Sequence, residues 1–319
     1  MSDPIVGIDL GGTQIRAVLA EVDGTILARY KALTGAEAGP EAVLDRIITA
    51  ARTVIEQGGG RRPSGIGVGS PGPLDPWTGV VLAAPNLGWH NVPLKAVLEE
   101  RLGLPTVVNN DCNAAALAER RFGAGKGVDD LIYMTISTGI GGGLISGGRL
   151  LLGNHGSAGE IGHTTVDLRG PRCKCGNIGC VEALAAGPAI AREAVARISQ
   201  GQPSSIPDLV SGDLSRVTAE IVGRAANAGD ALAKGVVEQA AFFIGVSLVN
   251  LVHILEPKLI LIGGGVAHIG DLLFDTIRST VRGRAMPCMI EGLRIEPASL
   301  GDDVGVLGAI ALYLEYGHD

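Results

Sequence analysis

The strongest chemical pattern in the sequence is a group of three cysteines that follows one histidine. Cys173, Cys175 and Cys180 lie within eight positions, and nine residues separate His163 from Cys173. Three thiolates and one imidazole complete a tetrahedron, the closed coordination that structural zinc prefers. A disulfide is disfavoured because Cys173 and Cys175 are too close for easy bridging and the sequence has no secretion signal. The sequence therefore predicts a structural Zn²⁺ site at these four residues.

Glycine-rich turns form a second chemical pattern. The segment DLGGT places Asp9 beside Gly11, Gly12 and Thr13, and the segment TGIGGG covers residues 138–143. Backbone N–H groups in such turns can approach a phosphate, while a neighbouring carboxylate faces its Mg²⁺. One such motif alone is more often a hairpin turn with a capping Asp. Two of them in one chain favour turns that hold opposite sides of one triphosphate.

Three carboxylates are candidates for binding or proton transfer. Asp111 follows a predicted strand at 106–109 and lies at its carboxyl end, where a general base is expected; a helix N-cap is the alternative. Glu160 and Glu182 flank the cysteine segment, together with His163. Folding this segment around a metal would gather two carboxylates and an imidazole, a set that suits sugar hydroxyls.

The elements that must position these residues occur twice along the chain. Residues 5–30 predict three antiparallel strands around glycine turns, and the same pattern restarts at residue 131. This repeat indicates an internal duplication, with two lobes facing each other across a cleft. A strand at 259–262 then ends in a third glycine turn, at 263–265, where ligands settle in open α/β sheets. Helices are predicted at 43–55, 188–199, 215–228, 230–254 and 304–316, the last packing back on the first lobe.

Composition excludes several classes of protein. The chain has 319 residues, 46% of them apolar, and a formal net charge of -7, so it can bury a large core and does not attract nucleic acid. The N-terminus lacks the basic and apolar stretches of a signal peptide. The most apolar stretch, Phe242 to Leu255, is shorter than the ~20 residues of a membrane span. We therefore expect a cytoplasmic protein without a membrane partner.

The motifs together resemble the ROK family of sugar kinases and repressors, and within it the bacterial ATP-dependent glucokinases. They occur in the family's order and cover nearly the whole chain: DLGGT at 9, SPGP at 70, NND at 109, TGIGGG at 138, EIGH at 160, CKCGNIGCVE at 173 and GGG at 263. The resemblance implies an α/β fold, the two-domain actin-like (ribonuclease H-like) sugar kinase fold with an interdomain cleft. We expect a small lobe from residues 1–112 plus 301–319 and a large lobe from 113–300 that carries the zinc loop, 163–182.

The same resemblance assigns roles to individual residues. The catalytic base falls on Asp111. The sugar ligands fall on Gly72, Asn86, Asn110, Asp111, Glu160, His163 and Glu182. The nucleotide and Mg²⁺ contacts fall on Asp9, Gly11, Gly12, Thr13, Thr138, Gly139, Gly264 and Gly265. The zinc ligands fall on His163, Cys173, Cys175 and Cys180, so His163 can reach the sugar only through its second ring nitrogen.

The resemblance implies ATP-dependent phosphorylation of glucose at its 6-hydroxyl, with hexose and ATP as small-molecule partners and a homodimer or homotetramer as the assembly. An N-acetylmannosamine or N-acetylglucosamine kinase shares these motifs and stays open as an alternative. A sugar-responsive repressor is disfavoured because such proteins place a DNA-binding helix pair ahead of this region, and DLGGT begins at residue 9. An actin-like or chaperone-like ATPase does not account for the cysteine segment or EIGH.

Overall fold

The computed structural model describes residues 3–317, so the ends of the predicted small lobe, residues 1, 2, 318 and 319, lie outside it. The strands are β1 (Ile5–Leu10), β2 (Gln14–Ala20), β3 (Ile26–Leu33), β4 (Gly65–Ser70), β5 (Leu74–Asp75), β6 (Val80–Ala84), β7 (Trp89–Val92), β8 (Thr106–Asn110), β9 (Leu131–Ile136), β10 (Ile140–Ser146), β11 (Arg149–Leu150), β12 (Leu259–Gly263) and β13 (Arg294–Pro297). The α-helices are α1 (Pro40–Gln57), α2 (Leu94–Leu102), α3 (Asp111–Phe122), α4 (Val181–Ala185), α5 (Gly187–Ser199), α6 (Ile206–Leu209), α7 (Ala219–Asn227), α8 (Ala231–Leu255), α9 (Asp271–Arg284), α10 (Pro287–Ile290) and α11 (Val304–Tyr316).

Two five-stranded sheets share one strand order. The first runs β3-β2-β1-β4-β8 and the second β11-β10-β9-β12-β13, while β5, β6 and β7 form a small third sheet. In the first sheet β1 pairs antiparallel with β2 and parallel with β4, and β4 pairs parallel with β8. In the second, β9, β12 and β13 are parallel and β10 pairs antiparallel with β11. Equivalent strand order in the two sheets agrees with the predicted duplication.

The first sheet is covered by helices on both faces. All six residues of β1 and of β4 are buried, as expected for parallel strands between two helical layers. Along β1, Val6 and Ile8 pack in the cluster that contains the apolar face of α1, whereas Ile5 packs with Ile310 of α11. The α11 contacts confirm the prediction that the last helix returns to the first sheet.

Glycine within strand β4 allows α11 to lie unusually close to the sheet. A Cβ atom on Gly67 would lie 1.7 Å from the carbonyl oxygen of Ala309, and one on Gly7 of β1 would lie 2.6 Å from that of Val306. Neither position can accept a side chain unless the helix moves away. The high glycine content therefore has a packing cause here as well as a role in turns.

The chain divides into two compact units by its internal contacts. The first comprises Met1–Asp129, Gly143–Gly159 and Ala298–Asp319, and the second comprises Asp130–Gly142 and Glu160–Pro297. The predicted lobe boundary at residue 112 separates α3 from the first sheet, whereas this division keeps them together. The reason is that α3 packs closely against α11.

Helix α8 is longer than the apolar stretch on which the sequence prediction rested. Its 25 residues are enough, by length and composition alone, for it to cross a membrane. However, 61% of its most apolar window is buried inside the protein, and the core helix of a globular protein passes the same test.

A buried carboxylate joins the end of α3 to the segment that leads into α11. Glu119 is fully buried, and its carboxylate accepts hydrogen bonds from the backbone N–H groups of Ala124 (3.0 Å), Ser299 (2.8 Å) and Leu300 (2.9 Å). The Ser299 hydroxyl donates a fourth bond at 3.1 Å. A buried charge is tolerated here because these donors replace its hydration.

We predict that Glu119→Ala lowers the free energy of unfolding by about 3 kcal/mol, because three backbone N–H groups lose their buried acceptor at roughly 1 kcal/mol each. Urea denaturation measures the change. The matched control is Glu100→Ala, an exposed glutamate on α2, whose effect should stay within about 0.5 kcal/mol. Equal stability of the two variants would show that this carboxylate does not hold the segment.

Candidate functional site

The carboxyl ends of three parallel strands bring several predicted site residues to one edge of the first sheet. Asp9 of β1 is opposite Gly69 of β4, and Ser70 of β4 is opposite Asn110 of β8. Asp111 follows at once as the first residue of α3. The predicted base therefore lies at the edge where ligands settle in open α/β sheets.

The start of α3 shows which residue caps this helix. Asn110 is the N-cap residue, and its Oδ1 accepts hydrogen bonds from the N–H groups of Cys112 (2.8 Å) and Asn113 (3.4 Å). Asp111 is exposed, and its Oδ1 accepts from the N–H of Cys112 at 2.8 Å. The cap is thus supplied by Asn110, which leaves Asp111 at the surface of the first helical turn.

Two pairs of predicted residues in the first unit lie close together. A Cβ on Gly72 would lie 3.6 Å from Nδ2 of Asn110, and one on Gly12 would lie 3.1 Å from Cβ of Asn86. The glycine hairpin at 11–13 is held by Thr34, whose hydroxyl donates to the Gly11 carbonyl oxygen at 2.7 Å. Its Gly12 and Thr13 are exposed, so their N–H groups face a place that a ligand can reach.

Asp9 has a partner that the sequence analysis missed. Its Oδ2 accepts a hydrogen bond from Nε of Arg16 at 2.9 Å and lies 2.5 Å from a terminal nitrogen of the same guanidinium. Burial raises the pKa of Asp9, and the Arg16 charge opposes that shift. Both contacts use Oδ2, and Oδ1 has no hydrogen-bond partner among residues 3–317. The chemistry of Oδ1 therefore fits a ligand of Mg²⁺ or of its hydration water.

The four predicted zinc ligands converge in the second unit. The nearest nitrogen and sulfur atoms of His163, Cys173, Cys175 and Cys180 all lie within 4.8 Å of one another. Sγ of Cys175 and Sγ of Cys180 are 3.7 Å apart, and Sγ of Cys173 is 3.6 Å from Nδ1 of His163. Zn–S bonds of about 2.3 Å in a tetrahedron require sulfur atoms about 3.8 Å apart. The cluster therefore fits a zinc ion.

Glu182 connects this cysteine cluster to the second glycine hairpin. Its Oε2 accepts a hydrogen bond from the N–H of Ile140 at 3.0 Å, and a Cβ on Gly139 would lie 2.6 Å from the same oxygen. Its Oε1 lies 3.9 Å from Sγ of Cys173. On the other side, Nε2 of His163 lies 3.9 Å from the exposed carboxylate of Glu160. Nδ1 of His163 thus faces the thiols, and Nε2 faces away from them.

A cavity of about 680 Å³ opens beside the second hairpin, within the second unit. Thr138 and Gly265 line it, as does the helix start at Thr218, the N-cap of α7. Gly264 has φ +84°, and a Cβ there would lie 2.4 Å from the Ile136 carbonyl oxygen, so only glycine fits the turn. The sequence analysis identified the two glycines and missed the polar wall, which consists of Thr218, Glu220, Arg224, Asn227 and His268.

Known proteins are similar to this chain over nearly its whole length. The model of the ROK family matches residues 5–316. The glucokinase of Thermotoga maritima is 36% identical over 312 residues, which is 98% of this chain and 97% of that protein. The xylose repressor of Caldicellulosiruptor bescii is 32% identical, over 97% of this chain and 78% of the repressor.

A solved structure is similar at the level of the fold as well. It is a ROK family glucokinase from Streptomyces griseus in complex with glucose and AMPPNP, 36% identical to this chain, with a TM-score of 0.82. The similarity covers 97% of this chain and 98% of that one. An α/β sugar kinase fold is thereby confirmed for this chain.

We predict that the purified protein carries about one zinc ion per chain and that Cys175→Ala abolishes this content, because three remaining donors leave the tetrahedron open. Elemental analysis by mass spectrometry measures the metal. Cys288→Ala is the matched control, since Cys288 is an exposed thiol outside the cluster. Full zinc content in Cys175→Ala, or none in the wild type, would contradict the assignment.

Proposed function

Because the chain belongs to the ROK family, we propose that it transfers the γ-phosphoryl group of ATP to the 6-hydroxyl of glucose. The observation that carries this proposal is the exposed Asp111 at the carboxyl edge of the first sheet, in a chain similar over its full length to glucokinases. The similarity to glucokinases supports sugar phosphorylation, and glucose as the sugar and its 6-hydroxyl as the acceptor are part of the proposal. We also propose a cytoplasmic location and a homodimer or homotetramer.

Asp111 acts as the general base in this proposal. It accepts the proton of the 6-hydroxyl as that oxygen attacks the γ-phosphorus, and the bond from phosphorus to the β,γ-bridging oxygen breaks to release ADP. A base must be accessible to its substrate, and Asp111 is exposed at the start of α3, where Asn110 is the N-cap residue. A positioned base of this kind contributes about 10²–10⁴ in rate.

The nucleotide is proposed to use residues of both glycine hairpins. The 680 Å³ cavity next to Thr138 and Gly265 suits a nucleoside, because it combines apolar walls with a few polar groups. The N–H groups at Gly12, Thr13 and Gly139 would hold phosphates, whereas the N–H of Gly11 already donates to the Gln14 carbonyl oxygen at 2.9 Å and would shape the turn. Mg²⁺ bound with ATP would neutralise phosphate charge. Asp9 would face it through Oδ1 while Arg16 holds Oδ2.

The sugar ligands are proposed from the positions of donors and acceptors in each unit. In the first unit these are Gly72, Asn86 and Asn110. In the second they are Glu160, His163 through Nε2, and Glu182. Zinc has a structural role in this proposal, because fixing Nδ1 of His163 also fixes the direction in which Nε2 can meet a hydroxyl.

We predict that Asp111→Asn lowers kcat by about 10²–10⁴-fold, whereas KM for glucose changes only several-fold because binding is shared among many contacts. Steady-state kinetics with a coupled ADP assay measures both constants. Glu41→Gln, an exposed carboxylate at the start of α1, is the control and should keep wild-type kinetics. If Asp111→Asn retains about a third of the wild-type rate, another residue is the base.

A panel of glucose, mannose, N-acetylmannosamine and N-acetylglucosamine with ATP tests the substrate. We expect the highest kcat/KM for glucose, with each N-acetyl sugar at least tenfold lower, since a pocket fitted to a hydroxyl clashes with the acetamido group. A higher kcat/KM for an N-acetyl sugar would favour the alternative kinase. Sugar binding without phosphorylation of any sugar would favour a repressor.

A further inference from the structure

A second, smaller cavity lies at the other end of the helix that begins with Asp111. It measures about 250 Å³ and lies within the first unit, between the C-terminal turn of α3 and α11. Its charged lining residues are Arg120, Arg121, Lys126 and Glu315. Three cations and one carboxylate line the cavity in a chain whose net charge is -7, and Asp129 pairs with one of the cations, Arg120.

Arg120 contains an unsatisfied donor at this cavity. One terminal nitrogen of its guanidinium donates to Asp129 at 2.7 Å, which fixes the side chain. Its Nε is buried and has no hydrogen-bond partner among the described residues. A buried N–H of a charged group without an acceptor is destabilising. Arg120 thus lines the cavity with a guanidinium whose donors are not all satisfied by the described residues.

Lys126 is presented by a loop that is already ordered. Glu119 holds this loop twice, through its carboxylate to the N–H of Ala124 (3.0 Å) and through its carbonyl oxygen to the N–H of Gly125 (3.0 Å). The N–H of Lys126 itself donates to the Gly123 carbonyl oxygen at 3.3 Å. Binding a ligand therefore requires little ordering of the backbone, which favours affinity.

The simpler explanation for these cations is the dipole of α3, because positive side chains stabilise the last turn of a helix. That explanation accounts for Arg120 and Arg121 and not for Lys126, which lies beyond the helix. It also leaves Nε of Arg120 without a partner, since the terminal carbonyl groups do not reach it.

We propose that this cavity binds a phosphate dianion, either inorganic phosphate or the phosphoryl group of a small phosphorylated sugar. The volume corresponds to about eight water molecules at roughly 30 Å³ each, enough for a phosphate with part of a sugar ring. Guanidinium and ammonium groups are the side chains that recognise phosphate. The proposal does not depend on the proposed kinase function.

Isothermal titration calorimetry with inorganic phosphate tests the site, in protein saturated with glucose and AMPPNP. We expect one phosphate per chain for the wild type. Arg121→Ala/Lys126→Ala should weaken binding on the order of 100-fold, from two charge-assisted contacts of about 1.5 kcal/mol each. Lys31→Ala/Arg62→Ala removes two exposed cations that do not line the cavity and should bind like the wild type.

Two further arms complete the experiment. Glucose 6-phosphate that binds at least tenfold more tightly than inorganic phosphate identifies a phosphorylated sugar as the ligand, whereas equal affinity identifies the free anion. Glu315→Gln keeps the cations in place and should tighten phosphate binding several-fold. This variant tests the site even when the double variant fails to fold. Absence of saturable binding by the wild type, or equal affinity in the wild type and the Arg121→Ala/Lys126→Ala variant, would overturn the proposal.

Discussion

Parallel pairing of strands within each sheet is the constraint on which both candidate sites depend. In the first sheet it sets the ends of β1, β4 and β8 side by side, so that Asp9, Ser70 and Asn110 share an edge although 100 residues separate the first from the last. In the second it sets Gly263 beside Thr135, next to the Thr138 turn. The strand end at which a side chain lies therefore determines which residues are its neighbours.

The carboxylates discussed above differ in how far away in sequence the backbone N–H groups that donate to them lie. Glu119 and Glu182 accept hydrogen bonds from N–H groups distant in sequence, and each thereby ties a loop to another element. The carboxylate of Asp111, in contrast, lies exposed on the first turn of a helix that another residue caps. Carboxylates held by distant N–H groups are suited to positioning a loop, and an exposed carboxylate is suited to the proton transfer proposed for Asp111. The environment of a carboxylate therefore distinguishes functions that its residue type does not.

Much of this arrangement follows from the sequence. Cysteine spacing predicted the metal cluster, apolar runs predicted the paired sheets, and α11 falls on the predicted residues 304–316. What escaped prediction depends on contacts between distant segments: the Arg16 partner of Asp9, the polar wall around Thr218, and the sheet of β5 to β7. Gly67 shows the same limit. From sequence alone it is a residue of low β-propensity in a strand, and only the structure shows that Ala309 packs against it. Local sequence patterns indicate the type of an element and its periodicity, but they do not identify the distant residues that the element contacts.

The duplicated halves also differ in how their hairpins are held, and among residues 3–317 the candidate metal cluster lies in the second half. In the first half the glycine hairpin is held by Thr34, which bonds the Gly11 carbonyl oxygen from the end of the adjacent strand β3. In the second half the edge strand β11 has only two residues, and the hairpin is held instead by Glu182, directly after the cysteine segment. A segment with so few apolar residues cannot fix a carboxylate by packing alone. A metal held by these four ligands would supply the rigidity that a longer strand supplies in the first half.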